Sequence, residues 1–121
     1  MRYTLLILSP PDAGASARHA VEFAGALIDA GHEILCVFFY DAGVLTAAKS
    51  ASPAQDESDL RARWQSLAQS AEVPLFVCVA SAARFGISED ETTRLPAFAV
   101  GGLGELIEAG TRSDRLMTFA G

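Results

Sequence analysis

Short apolar runs alternate with longer amphipathic stretches along this chain. Residues 2–8 are predicted to form a first strand, and the turn-forming residues 9–14 follow it. Residues 15–30 are predicted to be a helix that stops at Gly31. Its apolar stripe recurs at three- and four-residue steps, at Ala20, Phe23, Ala24, Leu27 and Ile28. One face of this helix can therefore cover a sheet.

The middle of the chain predicts a second strand over residues 33–40 and a short helical turn over 41–49. In the polar segment after that turn, Ser52-Pro53 with Gln55 resembles a helix-capping box, and Asp56 is an equally good cap. A second helix is predicted with Leu60, Trp64, Leu67 and Ala71 buried, and with Arg61, Arg63, Gln65 and Gln69 facing water.

The pattern in the last third of the sequence predicts three further strands. Residues 74–79 form the third strand, residues 96–100 a short fourth strand and residues 114–119 a closing strand, while residues 88–91 suggest a brief helix at most. Residues 101–104 lead into a helix that ends near Gly110. This alternation predicts a single α/β domain over residues 1–121, with three α/β/α layers and a five-stranded, mostly parallel sheet in a flavodoxin-like layout.

Composition narrows the class of function. The chain has 121 residues, half of them hydrophobic, and a formal net charge of −6. That charge argues against direct nucleic-acid binding, which needs a basic surface, and no run approaches the ~20 apolar residues of a membrane span. Residues 1–11 lack a signal-peptide cleavage site, so we expect a cytoplasmic protein. The high apolar content favours a subunit interface.

The glycines offer weak support for a nucleotide or flavin site. The turn after the first strand, residues 10–15, matches neither of the glycine patterns that bind phosphate. It also contains two prolines, which have no N–H group to donate, and Asp12, whose charge repels phosphate. Residues 101–104 precede a helix and could bind an anion, although glycines at such a turn usually serve the turn itself. We expect no cofactor.

Cys78 is the strongest candidate for chemistry. It ends the apolar run 74–79, and the carboxyl ends of strands in an open α/β sheet form the crevice where ligands bind, so we expect its thiol to meet solvent. Cys36 lies within the apolar run 34–40 and is predicted to be a buried core residue. Neither cysteine has zinc or dithiol spacing, and a reducing cytosol disfavours a disulfide between them. A buried strand cysteine remains the alternative for Cys78.

A histidine base for Cys78 is not established. His32 follows a helix end and is predicted at the opposite edge of the sheet, while His19 could approach the site or lie on a solvated helix face. Sulfur transfer needs no such base, because a thiolate requires only a lowered pKa and access to a persulfide. Arg84 is a candidate neighbouring cation, or else an arginine that faces solvent.

Four groups of residues resemble the DsrE/TusD family of sulfur-relay proteins: residues 25–33, residues 37–40, Ser52-Pro53-Ala54 with Asp56, Glu57, Asp59 and Leu60, and Val77-Cys78-Val79-Ala80 with residues 83–86. The likeness covers essentially the whole chain and is strongest to TusD-type members, in which small residues, an arginine and a glycine follow the cysteine. The resemblance implies a sulfurtransferase in which Cys78 accepts sulfane sulfur as a persulfide.

The resemblance also implies partners and a pathway. Related small subunits, TusB/TusC-like or DsrF/DsrH-like, would complete a heterohexamer, and TusA-like and TusE-like carriers would deliver and remove the sulfur. TusD-type members serve 2-thiolation of the wobble uridine in tRNA, whereas DsrE-type members serve sulfur oxidation. A subunit that only builds the oligomer is a further alternative.

Overall fold

The strands form one parallel sheet. The structure is a computed structural model that describes residues 1–12, 15–49, 60–88 and 93–120. Within these residues the sheet order is β4-β3-β2-β1-β5, and every neighbouring pair is parallel. The strands are β1 (Arg2–Ile7), β2 (Glu33–Phe39), β3 (Leu75–Cys78), β4 (Phe98–Gly101) and β5 (Arg115–Phe119).

Helices cover both faces of the sheet. Helices α1 (Ser16–Asp29) and α2 (Leu60–Ala71) pack against each other and share the larger apolar core with one face of the sheet. On the other face, α4 (Leu103–Arg112) contacts β1 and β2. A 3-10 helix (Asp41–Ala47) follows β2 at the carboxyl end of the sheet, where it meets the short α3 (Val79–Arg84). This arrangement is the predicted α/β/α layering.

Aromatic side chains fill the centre of the larger core. The Phe39 ring lies 5.5 Å from both the Trp64 ring and the Phe98 ring, measured between centroids, in edge-to-face geometry. All three side chains are buried. The contact joins β2, α2 and β4, so this cluster holds the β3-β4 half of the sheet under α2.

The smaller core lies on the α4 face of the sheet and contains both cysteines. Its buried members are Cys36, Phe38, Cys78 and Ala109. Tyr3 pairs with Ile34 and Thr4 pairs with Cys36, so Leu35 is an extra residue in the β1-β2 ladder. Cys36 and Phe38 share a face because side chains alternate along a strand. The extra residue places Ile34, a member of the larger core, on the opposite face from Cys36.

The predicted strands and longer helices are confirmed with shifts of a few residues at their ends, but the short α3 was not predicted and one assignment of a face is wrong. Arg61 was predicted to face water, yet it is only 7% exposed, and its Nη1 donates to the backbone oxygen of Ala48 at 3.4 Å. A long side chain can extend over an apolar surface to reach a carbonyl, which the helical period does not reveal. The predicted capping box at Ser52-Pro53 and most of the predicted brief helix over 88–91 lie outside the described residues.

Gly43 allows the 3-10 helix to lie against the end of β1. A Cβ atom at Gly43 would clash with the backbone oxygen of Ile7 and would lie 3.4 Å from the Cα of Leu8. Both contacts are with backbone, so no side-chain rotation can relieve them. The position of the 3-10 helix over the sheet therefore depends on the absence of a side chain at Gly43.

We expect Gly43→Ala to lower the free energy of unfolding by about 1–3 kcal/mol, the usual cost of overpacking a tight site. Gly25→Ala is the matched control, because a Cβ at Gly25 in α1 meets nothing within 4 Å. Alanine is also the better helix former by about 1 kcal/mol. Urea unfolding of both variants measures the difference in the free energy of unfolding. Equal midpoints would show that the 3-10 helix shifts to accommodate the new side chain without loss of stability.

Candidate functional site

Cys78 lies where three neighbouring strands end. It is the last residue of β3 and directly precedes α3. Cys78 pairs in register with Gly101 of β4, and Phe39 pairs with Val77, so Tyr40 lies beside Cys78 on the β2 side. The carboxyl ends of these parallel strands meet there, as the sequence predicted, and this is the edge where open α/β sheets bind ligands.

The expectation that the Cys78 thiol meets solvent is wrong for this conformation. Cys78 is 2% exposed and packs in the smaller core with Phe38 and Ala109. The half-buried Tyr40 and Phe76 pack against the same cluster. The strand pattern located the end of β3, but it could not show that side chains from β2 and α4 cover the thiol. Any reaction at Cys78 therefore requires this cover to move.

Asp41 fastens the 3-10 helix to α3 next to Cys78. Its backbone N–H donates to Ser81 Oγ at 3.0 Å, and its carboxylate accepts from Arg84 Nη2 at 2.9 Å. The φ angle of Asp41 is +52°, a left-handed conformation that aspartate tolerates better than most residues. We call these three residues, Asp41, Ser81 and Arg84, the clasp. It links the chain just after β2 to α3, the helix that directly follows Cys78.

The other predicted candidates fall in different places. Arg84 lies at the end of α3, with its side chain 63% exposed, and the carboxylate of Asp41 partly neutralises it. His32 Nδ1 lies 3.0 Å from the N-terminal amine of Met1, which confirms its place at the opposite end of the sheet. His19 is an exposed residue of α1. The structure thus places Arg84, but neither histidine, on the helix that directly follows Cys78.

The glycine turn after β4 is capped by a side chain of the helix that follows it, α4. Glu105 Oε2 accepts a hydrogen bond from the Gly102 N–H at 2.8 Å, which is the glutamate half of a capping box at the start of α4. A Cβ at the adjacent Gly101 would lie 3.0 Å from Phe76 Cδ1 and 3.4 Å from the Glu105 carboxylate. The anion site that residues 101–104 could have formed is therefore faced by a carboxylate, and the glycines serve the turn.

Cys36 is buried as predicted, at 2% exposure. Burial, with a smaller contribution from the charge of Glu105, raises the pKa of its thiol to about 12. From the β2-β3 register, Cys36 lies four residues before the level of Cys78, roughly 13 Å along the strand direction. A disulfide requires Cα atoms within about 7 Å, so this fold does not allow the two cysteines to bridge.

Three residues at this site were not singled out from the sequence: Asp41, Ser81 and Glu105. Glu105 follows Gly102 by three residues, which is the spacing of a capping box and could have been noticed. Asp41 and Ser81 are separated by forty positions, and no local pattern joins them. Their contact follows from the neighbouring strands β2 and β3 ending at the same edge of the sheet.

Two kinds of site are absent from the part of the chain that the structure describes. Over residues 1–12, 15–49, 60–88 and 93–120, no three His, Cys, Asp or Glu residues come together in a way that could hold a metal ion. Over the same ranges, no helix has the length and apolar character needed to cross a bilayer.

Known proteins resemble the chain over almost its full length. Residues 1–119 match the DsrE/DsrF-like family. Sulfurtransferase TusD of Klebsiella pneumoniae strain 342 is 41% identical over 98% of this chain and 100% of its own, and Sulfurtransferase TusD of Salmonella arizonae is 42% identical with the same coverage. The crystal structure of the ychN protein from E. coli superposes with a TM-score of 0.86 at 18% identity, covering 98% of this chain and 99% of its own. The chain belongs to the DsrE/DsrF-like family.

Proposed function

We propose that this chain is a sulfur-carrier subunit of a sulfurtransferase, with Cys78 as the residue that holds the sulfur. The placement of Cys78 carries the proposal: in a chain about 41% identical to proteins named sulfurtransferase, it is the cysteine at the carboxyl end of the sheet. The second cysteine, Cys36, lies deep in the sheet and has a thiol with a strongly raised pKa.

The proposed reaction exchanges one sulfur–sulfur bond for another. The Cys78 thiolate attacks the outer sulfur of a donor persulfide, a bond forms to that sulfur, and the donor leaves as a thiolate. The thiolate of a second carrier then attacks the same outer sulfur and releases the Cys78 thiolate. The outer sulfur keeps its proton in both steps. Electrons balance without an oxidant, and no histidine base is needed.

We further propose that the sulfur goes toward 2-thiolation of the wobble uridine in tRNA, through TusA-like donor and TusE-like acceptor proteins. The likeness to TusD proteins supports this pathway. The formal charge of −6 supports a subunit that does not bind the tRNA itself. Related small subunits are proposed to complete a heterohexamer. Exposed apolar side chains favour such partners: Leu103 and Ile107 on α4, Leu116 and Met117 on β5, and Phe85 after α3.

One observation favours a second function. Because Cys78 is 2% exposed, this chain could instead be a structural subunit whose thiol never carries sulfur. The two functions differ in whether Cys78 reacts when the folded protein meets a persulfide. They therefore predict different masses for the intact chain after such treatment.

Cys78→Ser should abolish sulfur loading, because serine cannot form a persulfide, and Cys36→Ser should load as the unaltered chain does. Intact-protein mass spectrometry after incubation with glutathione persulfide measures the gain of one sulfur atom. Circular dichroism of each variant checks that the fold is retained. If the unaltered chain gains no sulfur, the structural function is favoured, and if Cys78→Ser still loads, the carrier is Cys36.

Cys36 should resist alkylation in the folded Cys78→Ser variant. Its thiol has a pKa of about 12 against an ordinary value of 9.0, so the thiolate fraction at pH 8 is roughly a thousandfold lower than in the unfolded chain. Iodoacetamide kinetics with and without urea measure this ratio. The same shift predicts constant stability below pH 9 and a decline between pH 9 and 12, as the unfolded chain ionises first. Equal alkylation rates in the two states would contradict the raised pKa.

Asp41→Asn should make Cys78 easier to alkylate. The change removes the ion pair with Arg84, while asparagine still tolerates a positive φ. An exposed ion pair stabilises by at most about 1 kcal/mol, so we expect a two- to fivefold increase, roughly, in the alkylation rate of Cys78 in the Cys36→Ser background. Asp29→Asn at the far end of α1 is the charge control. An unchanged rate for Asp41→Asn would show that the clasp does not limit access to the thiol.

A further inference from the structure

The carboxylate of Glu105 lies against Gly101, on the strand next to Cys78. Gly101 is the in-register neighbour of Cys78, so a Cβ at Gly101 would point to the same face of the sheet as the Cys78 side chain. The Glu105 carboxylate lies 3.4 Å from that Cβ position. Neighbouring strands are ~4.8 Å apart, which places the carboxylate within about 8 Å of the Cys78 Cβ.

The thiol and the persulfide of Cys78 differ in reach toward this carboxylate. No hydrogen bond joins Cys78 to Glu105 in the described part of the chain, whereas Glu105 Oε2 does accept from the Gly102 N–H. A persulfide adds one sulfur–sulfur bond of ~2.05 Å to the side chain. Its outer sulfhydryl can therefore extend toward a carboxylate oxygen that the thiol does not contact.

The charge of Glu105 already acts on a thiol in this core. It contributes to the raised pKa of Cys36, which shares the smaller core with Cys78. Among the described residues Glu105 makes no ion pair, so no cation offsets this effect. The other ionisable groups around Cys78 are Tyr40 after β2 and the Asp41–Arg84 ion pair between the 3-10 helix and α3.

We propose that Glu105 accepts a hydrogen bond from the outer sulfhydryl of the Cys78 persulfide and keeps that sulfur protonated. The inference rests on the proposed function. It assigns to Glu105 a role in the release of sulfur, in addition to its role in capping α4.

Protonation of the outer sulfur matters for the onward transfer. An incoming thiolate is negatively charged, and its attack on an ionised persulfide would bring two negative charges together. On a protonated persulfide the same attack forms a bond to the outer sulfur and releases the Cys78 thiolate, and the proton leaves with the transferred sulfur. A neighbouring carboxylate disfavours ionisation of the persulfide, so it extends the pH range over which the carrier is electrophilic.

The test uses Glu105→Gln, since glutamine fits the capping box and loses only the charge. Glu108→Gln is the matched control, because Glu108 lies on the same helix, is exposed and pairs with Arg112 at 3.9 Å. Each protein, with Cys36 replaced by serine, is loaded with glutathione persulfide, freed of donor, and treated with cyanide across a pH series. Cyanide attacks the outer sulfur and leaves as thiocyanate. The rate of thiocyanate formation is measured at each pH and corrected for the fraction of cyanide that is ionised.

In Glu105→Gln, the rate of thiocyanate release should begin to fall at a pH about one unit lower than in the Cys36→Ser parent. In Glu108→Gln, that pH should stay unchanged. Above that pH the Glu105→Gln protein should release sulfur about tenfold more slowly. Superimposable profiles for the two variants, with full loading, would overturn the role of Glu105 and leave the carrier function intact. Failure of the Cys36→Ser parent to load would instead overturn the proposed function on which this inference rests.

Discussion

The parallel ladder between β2, β3 and β4 is the constraint on which the site depends. Val37, Phe38 and Phe39 pair with Leu75, Phe76 and Val77, and Cys78 pairs with Gly101. A parallel sheet aligns the ends of its strands at one edge. This register therefore determines that Tyr40, Cys78 and Gly101 meet there, and that the elements following each strand, the 3-10 helix, α3 and α4, begin around the same thiol.

Each element that follows a strand contributes a different property to the surroundings of Cys78. The 3-10 helix lies close to β1 because Gly43 has no side chain, and Asp41 fastens it to α3. Helix α4 brings the carboxylate of Glu105, which caps its own first turn and faces Gly101. The thiol is thus covered, and a carboxylate lies against the neighbouring strand end.

The two cysteines share a core but lie at different places along the sheet. Both are 2% exposed and both belong to the smaller core. Cys36 lies within β2, where burial raises the pKa of its thiol to about 12 and so disfavours the thiolate. Cys78 lies at a strand end, next to helices held by an exposed ion pair. Position along the strand, rather than burial, separates the proposed carrier from the structural thiol.

The sequence by itself determined the order of the elements, the α/β class, the burial of Cys36 and the place of Cys78 at the end of β3, because these depend on local periodicity and on where apolar runs stop. Only the tertiary structure decided that Cys78 is covered, that Arg61 is buried, that Asp41 reaches Ser81 and Arg84, and that Glu105 lies beside Gly101. These contacts join residues on different strands and helices. They arise from the register and packing of elements distant in the chain, which no local pattern encodes.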